Sequence, residues 1–402
     1  MNISNSPASS PSSSPGPSTS DDESLTPPPC YSAPVAPHVG KKVVLLTGGA
    51  GFIGSHTAQA LLRRGDDVVV IDDFNDYYDP AIKRSNVELL KAQAAMSGGM
   101  NAPELTVYAG SITDTKLMAS IFADHAVSHV CHLAARAGVR PSIDDPLLYV
   151  DTNITGTTVL LELARKHGVA NFVYASSSSV YGGSKSAYFS EDEDVSNPVS
   201  QYAATKKTCE LLAHTYSHLY QLPTTGLRFF TVFGERGRPD MAPLMFINKI
   251  SKGEGIRQFG DGSSSRDYTY VSDIVDGVVR SLDRAYKNEV FNLGKGSGTS
   301  LIDFIGTVEK YTGKKANKTI LPDQPGDVPY TCASTDKARA LLGYSATVSF
   351  DEGIRKTVAW YNDANGISSM NELNTKVKVE RPARKTQTKV KHVISTDRLA
   401  LA

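Results

Sequence analysis

Between residues 41 and 294 the chain alternates short β-branched apolar runs with longer stretches whose apolar positions recur every third or fourth residue. Continuous apolar runs fit strands covered on both faces, and the amphipathic stretches fit crossover helices, which together describe a parallel sheet. The predicted strands are KKVVLLT, DVVVID, LTVYAG, HVCHLA, NFVYASS and TTGLRFF. Helices are predicted over Ser55 to Arg64, Pro80 to Ala95, Asp114 to His125, Pro146 to His167 and Gln201 to Tyr220. Beyond Gly234 the elements shorten and Gly and Pro increase, although helix Val271 to Ala285 and strand Glu289 to Gly294 are expected to return to the main sheet. The expected fold class is α/β, a doubly wound parallel (Rossmann) sheet over 41–234 and 271–294. A smaller α/β substrate-binding domain takes the rest of 235–366.

The ends break this rhythm. Residues 1–40 are dominated by Ser and Pro, and residues 367–402 are rich in Lys and Arg without an apolar face; both are expected to be disordered tails. The first tail lacks the charged start and apolar segment of a secretory signal. Lys plus Arg number 42 and Asp plus Glu number 42, so no overall field steers the chain to nucleic acid or an anionic membrane. The longest apolar runs are too short to span a hydrocarbon core of about 30 Å. Cys30, Cys131, Cys209 and Cys332 lack the close pairing of a zinc site or redox motif and read as reduced thiols in a cytoplasmic protein. No metal site is expected. His129 and His132, on or beside a strand, read as buried and hydrogen-bonded, and Trp360 and Tyr361 as part of a core-facing helix.

The chemistry begins at VVLLTGGAGFIGSH, where a strand runs into a helix through Gly48, Gly51 and Gly54. Without β-carbons there the backbone can turn tightly and approach a pyrophosphate, which then rests on the helix N-terminus. The next strand ends in Asp72, about twenty residues on, where a carboxylate can accept hydrogen bonds from the adenosine ribose. Its charge would repel a 2′-phosphate, so NAD is favoured over NADP. Tyr202 and Lys206 lie four residues apart in a predicted helix and so share one face. A neighbouring ammonium favours the phenolate, which makes Tyr202 a candidate general base. Ser177, at the end of the strand before YASSSSVYG closes, can hydrogen-bond the reacting oxygen.

From about Lys41 to Tyr361 the chain resembles the nucleotide-sugar epimerase branch of the extended short-chain dehydrogenase/reductases, and within it the UDP-glucuronate 4-epimerases. The stretches carrying the resemblance are TGGAGFIGSH, DDFNDYYDP, HLAARAGVR, SSSSVYG, YAATKK, LRFFTVFGERGRPDMA, SRDYTYVSDIV and GDVP. The resemblance implies cofactor contacts at Phe52, Ile53, Asp72, Ile112, Leu133, Ala134, Asn153, Tyr202 and Lys206. It implies substrate contacts at Ser177, Ser178, Ser179, Tyr202, Thr231, Arg238 and Arg266, and a homodimer formed through the helices containing Asn153 and Tyr202. Two departures are visible: Ser111 stands where relatives carry an acidic residue toward the adenine, and Gln324 where galactose-type relatives have a diphosphate-binding Arg.

In the same resemblance, dehydratases and decarboxylases place carboxylates at the positions of Ser178 and Ser179, whereas this chain has Ser-Ser. The expected reaction is therefore reversible epimerisation at C4 with bound NAD and a transient 4-keto sugar, the uronate carboxylate being held by Arg238, a planar bidentate donor. The alternatives are a UDP-galactose or UDP-N-acetylhexosamine epimerase, a decarboxylase or 4,6-dehydratase, and a non-catalytic scaffold.

Overall fold

The computed structural model describes residues 31–96, 99, 102–322 and 330–367. Most of both expected tails, Gln324 and the GDVP stretch lie outside the described residues. Within the stretch expected as an N-terminal tail, the Val35 amide donates to the Tyr286 hydroxyl and the His38 amide to the Asp283 carbonyl.

The main sheet is built from β1 (Val43–Thr47), β2 (Asp67–Asp72), β3 (Leu105–Ala109), β4 (His129–His132), β5 (Asn171–Ser177) and β6 (Thr224–Phe229). The chain then forms β7 (Thr231–Phe233), β8 (Gly255–Phe259) and β9 (Ser265–Tyr270) before β10 (Asn288–Leu293) returns beside β6. The order β10-β6-β5-β4-β1-β2-β3, every neighbour parallel, is a doubly wound sheet whose strand order reverses beside β1. Two smaller sheets stand apart from it. β7 and β9 join β11 (Gly298–Ser300), and β8 pairs with β12 (Asn317–Leu321).

The helices in chain order are α1 (Phe52–Arg64), α2 (Pro80–Met96), α3 (Thr115–Asp124), α4 (Pro141–Asp144), α5 (Pro146–Tyr149), α6 (Gly156–Lys166), α7 (Gln201–Tyr220), α8 (Ala242–Lys252) and α9 (Val271–Leu282). Three more follow: α10 (Leu301–Thr312), α11 (Asp336–Leu342) and α12 (Phe350–Ala364). Parallel strands need such crossovers, and both faces of the sheet are covered, so the runs in β1 and β2 are apolar and buried. Leu45, Val130, Phe172 and Tyr174 lie in one core with Leu160, Leu161 and Ala213 from the covering helices. The capping residues explain where helices start: Asp114 accepts from the amides of Lys116 and Leu117, and Ser200 from that of Ala203.

Two features differ from the expected pattern. α1 begins at Phe52, three residues before the predicted start, because the glycine turn itself supplies the first helical turn. The stretch expected as one helix from Pro146 to His167 contains a wide π-helical turn over Val150–Thr155. Such turns recur at functional sites because they redirect one side chain without ending the helix. Here the redirected residue is Asn153, whose carboxamide accepts from the Arg136 amide at 2.8 Å and donates to the Arg136 carbonyl and the Thr205 hydroxyl, each at 3.0 Å.

Candidate active site

A cleft of about 500 Å³ runs along the C-terminal ends of the main strands. Its floor is the β1 to α1 turn. Gly48 has φ +69, and a β-carbon there would lie 2.8 Å from the Ala134 amide nitrogen; at Gly54 it would lie 2.1 Å from the Gly48 carbonyl oxygen. Any side chain at these two positions would force backbone apart. α1 is capped by Gly51 with no side-chain cap and no acidic residue in its first turn, so its leading N–H groups and its positive end are left for an anion. Glycine floor, uncapped helix and adjacent Asp72 together fit a dinucleotide.

Asp72 is 6% exposed and accepts from the amides of Ala50 at 3.1 Å and Phe74 at 3.0 Å. Burial raises its pKa, with Lys83, 3.8 Å away, pulling the other way. The carboxylate is thus fixed on one side by backbone while its side chain still lines the cleft. Ile112, Leu133 and Ala134 line the same stretch, as do Phe52 and Ile53. Ser111 lines it too, its hydroxyl 2.8 Å from that of Thr113.

At the other end Ser177, Ser178, Ser179, Tyr202, Lys206, Thr231 and Arg238 come together from β5, α7, β7 and the loop after it. Ser177 closes β5 and accepts from the Ser179 amide, starting a short 3-10 turn that stacks the three serines along the wall. Tyr202 sits in the first turn of α7, and its amide donates to the buried Ser142 hydroxyl at 3.1 Å. Its ring meets the edge of Tyr149, centroids 6.2 Å apart. The Lys206 ammonium lies 6.0 Å from the Tyr202 ring centroid and donates to the Ala175 carbonyl at 2.7 Å. One helix therefore presents both groups to the cleft beside the end of β5.

A buried network holds helix and strand in register. On α7, Glu210 accepts from the Ser176 hydroxyl at 2.6 Å and from the Arg228 Nε and Nη2 at 2.9 Å each. Arg228 Nη1 donates to the Tyr181 hydroxyl, which donates in turn to Asn292. Burial pushes the Glu210 pKa up, but the bonds from Arg228 outweigh it and hold the group below the usual range. His132 bridges the Thr47 and Thr157 hydroxyls at 2.7 and 2.9 Å. Burial, reinforced by the Lys206 charge, lowers its pKa to about 3, so it is a neutral structural histidine. Among the described residues no cluster of His, Cys, Asp or Glu could hold a metal.

Two of the expected contact residues lie elsewhere. Asn153 is consumed behind the wall, bracing the Arg136 loop. Arg266 is on β9, in the small sheet, with Nη1 donating to the Ser265 carbonyl, and it does not line the cleft. The structure instead adds residues that periodicity could not single out. Arg136 lines the cleft and pairs with Asp73 at 3.3 Å, linking the loops after β4 and β2 across the β1 turn. Tyr77 stacks under Arg238, 4.9 Å from ring centre to guanidinium, and its hydroxyl accepts from Nη2 at 3.1 Å.

Residues 44–294 match the NAD dependent epimerase/dehydratase family, to which the chain belongs. Within that family it is similar to the UDP-glucuronate 4-epimerase 4 of Arabidopsis thaliana, 42% identical over 336 residues covering 79% of this chain and 75% of the relative. Among solved structures it is similar to the UDP-glucuronic acid 4-epimerase of Bacillus cereus in complex with UDP-glucuronic acid and NAD. That likeness has 36% identity and a TM-score of 0.72, over 80% of this chain and 99% of the other. The UDP-glucose 4-epimerase of Thermotoga maritima, with UDP-glucose, has a TM-score of 0.72 at 32% identity, over the same shares of the two chains.

Proposed function

We propose that the protein interconverts UDP-glucuronate and UDP-galacturonate by inverting C4 of the sugar. The observation that carries this reading is the sugar end of the cleft: three serines, Tyr202, Thr231 and Arg238, with no acid among them. Among the described residues, the carboxylates lining the cleft are Asp72 and Asp73, at the end of β2 on its far side. Elimination of water across C5 and C6 needs a further acid and base at the ring besides Tyr202, and no described carboxylate lies beside the three serines.

The glycine turn and Asp72 would hold NAD, which when bound would supply a reversible hydride acceptor for C4. Tyr202 takes the C4 hydroxyl proton and returns it after the sugar has turned over. Lys206, pinned by the Ala175 carbonyl, holds its ammonium 6.0 Å from the centre of the Tyr202 ring. Ser177 donates to the C4 oxygen. The 4-keto acid formed in passing loses carbon dioxide when its carboxylate is free to rotate, so Arg238, Thr231, Ser178 and Ser179 fix that group by charge-assisted hydrogen bonds. The same ends of the likeness support both halves: the Arabidopsis and Bacillus proteins are named for the uronate.

As a partner we propose a second copy of this chain, docked through the helices that carry Asn153 and Tyr202. Leu211, Leu219 and Tyr220 on α7 are 56%, 59% and 46% exposed, an apolar cost that such a contact would remove. We place the protein in the cytoplasm, a reading supported by three free, buried cysteines. No described helix is long and apolar enough to cross a membrane.

The purified protein is expected to convert UDP-glucuronate to UDP-galacturonate without releasing carbon dioxide, as read by separating the products. Turnover of UDP-galactose with none of UDP-glucuronate would sink the uronate assignment.

A further inference from the structure

We infer that Asp240, which does not line the cleft, is the positioning residue that sets the preference for a charged sugar by holding the Arg238 fork. The inference rests on the functional reading above, in which Arg238 meets the substrate carboxylate.

The guanidinium of Arg238 is restrained along one edge. Its Nε donates to Asp240 Oδ1 at 3.0 Å, and its Nη2 donates both to Asp240 Oδ2 at 2.6 Å and to the Tyr77 hydroxyl at 3.1 Å. The Tyr77 ring lies beneath the plane of the group. Guanidinium carries five N–H bonds. Three are therefore spent on Asp240 and Tyr77, and the two on Nη1 have no partner among the described residues. Arg228 makes the contrast: its Nε and Nη2 engage Glu210, its Nη1 engages Tyr181, and its side chain is 3% exposed in the core. Arg228 is a closed structural unit, whereas Arg238 lines the cleft with an edge still open.

Asp240 itself is placed two residues along the chain, where the Met241 amide closes a turn onto the Arg238 carbonyl at 3.2 Å, so its carboxylate can clasp Arg238 without reaching the ligand. An arginine without such a clasp must lose its rotamer freedom when a carboxylate arrives, and that loss comes out of the binding energy. With the clasp, the fork is oriented beforehand, as second-layer carboxylates orient metal-bound histidines. Asp240 is also 41% exposed in its side chain, so its charge is screened by water and repels an incoming carboxylate only weakly. A neutral hexose does not call on the open edge. Discrimination between the two sugars therefore depends on Asp240 although Asp240 touches neither.

The test uses the full chain with Tyr202→Phe, which slows turnover by about 10² to 10⁴-fold, and measures Kd for UDP-glucuronate and UDP-glucose by calorimetry. Adding Asp240→Ala is expected to raise the UDP-glucuronate Kd about tenfold and to shrink the ratio of the two constants by a similar factor. Asp240→Glu, which keeps the carboxylate, is expected to recover most of the ratio. An unchanged ratio after Asp240→Ala, through equal losses or no loss, overturns the assignment of Asp240, as does tighter binding of the uronate. A parent protein that shows no preference for UDP-glucuronate overturns the functional reading and this inference with it.

Discussion

Replacing Tyr202 with Phe is expected to lower kcat by a factor of about 10² to 10⁴, the usual worth of a general base, while leaving the fold and the NAD content unchanged. The residue's structural work is done by its ring, which packs edge-on against Tyr149, and by its backbone amide, which donates to Ser142. Its hydroxyl makes no hydrogen bond among the described residues, so its removal strands no buried partner. Steady-state assays with UDP-glucuronate, beside circular dichroism and release of bound nucleotide on denaturation, separate the two effects. Retention of more than a tenth of the wild-type kcat would mean that another group accepts the proton.

The second large effect is expected from Glu210→Ala, and it falls first on stability. The Arg228 side chain is 3% exposed and Glu210 5%, so the substitution leaves a buried guanidinium whose chief partner is gone. Breaking a buried pair from one side costs about 3–5 kcal/mol, because the remaining charge has lost its compensation and cannot reach water. Glu210→Gln keeps one acceptor oxygen for Ser176 or Arg228 and is expected to lose less. Denaturant unfolding followed by tryptophan fluorescence from Trp360 measures both. Where the alanine variant still folds, its kcat is also expected to fall, since the Ser176 tie that sets α7 against β5 is lost. A variant as stable as wild type would show that Arg228 finds water or another anion.

These two residues also show how far the sequence could be read. Tyr202 was legible because its partner Lys206 recurs at helical spacing behind a recognisable glycine turn, all within local stretches of chain. β1 and β2 were legible for a similar reason: each is buried on both faces and carries an apolar run, VVLL and VVVI. Glu210 was not, because its meaning comes from Arg228 on β6 and Ser176 on β5, which only the folded sheet brings within hydrogen-bond distance. The same holds for Tyr77 under Arg238 and for Ser142 under the Tyr202 amide, contacts between loops far apart in the chain. The π-helical turn at Val150–Thr155 left no mark in the periodicity, since it adds one residue to a helix that continues on either side. Asn153, a cofactor contact by resemblance, has its carboxamide on the Arg136 backbone and the Thr205 hydroxyl. Arg266, a substrate contact by resemblance, stands on β9 and is not among the residues lining the cleft.

The central claim is that oxidation at C4 is temporary and the hydrogen removed there comes back. Incubation of the protein with UDP-glucuronate deuterated at C4, followed by mass spectrometry and proton NMR of the UDP-galacturonate formed, tests it most directly. The account predicts product that keeps its deuterium at C4 and no accumulation of a keto sugar. Product carrying protium at C4, or deuterium appearing in free cofactor, would contradict it.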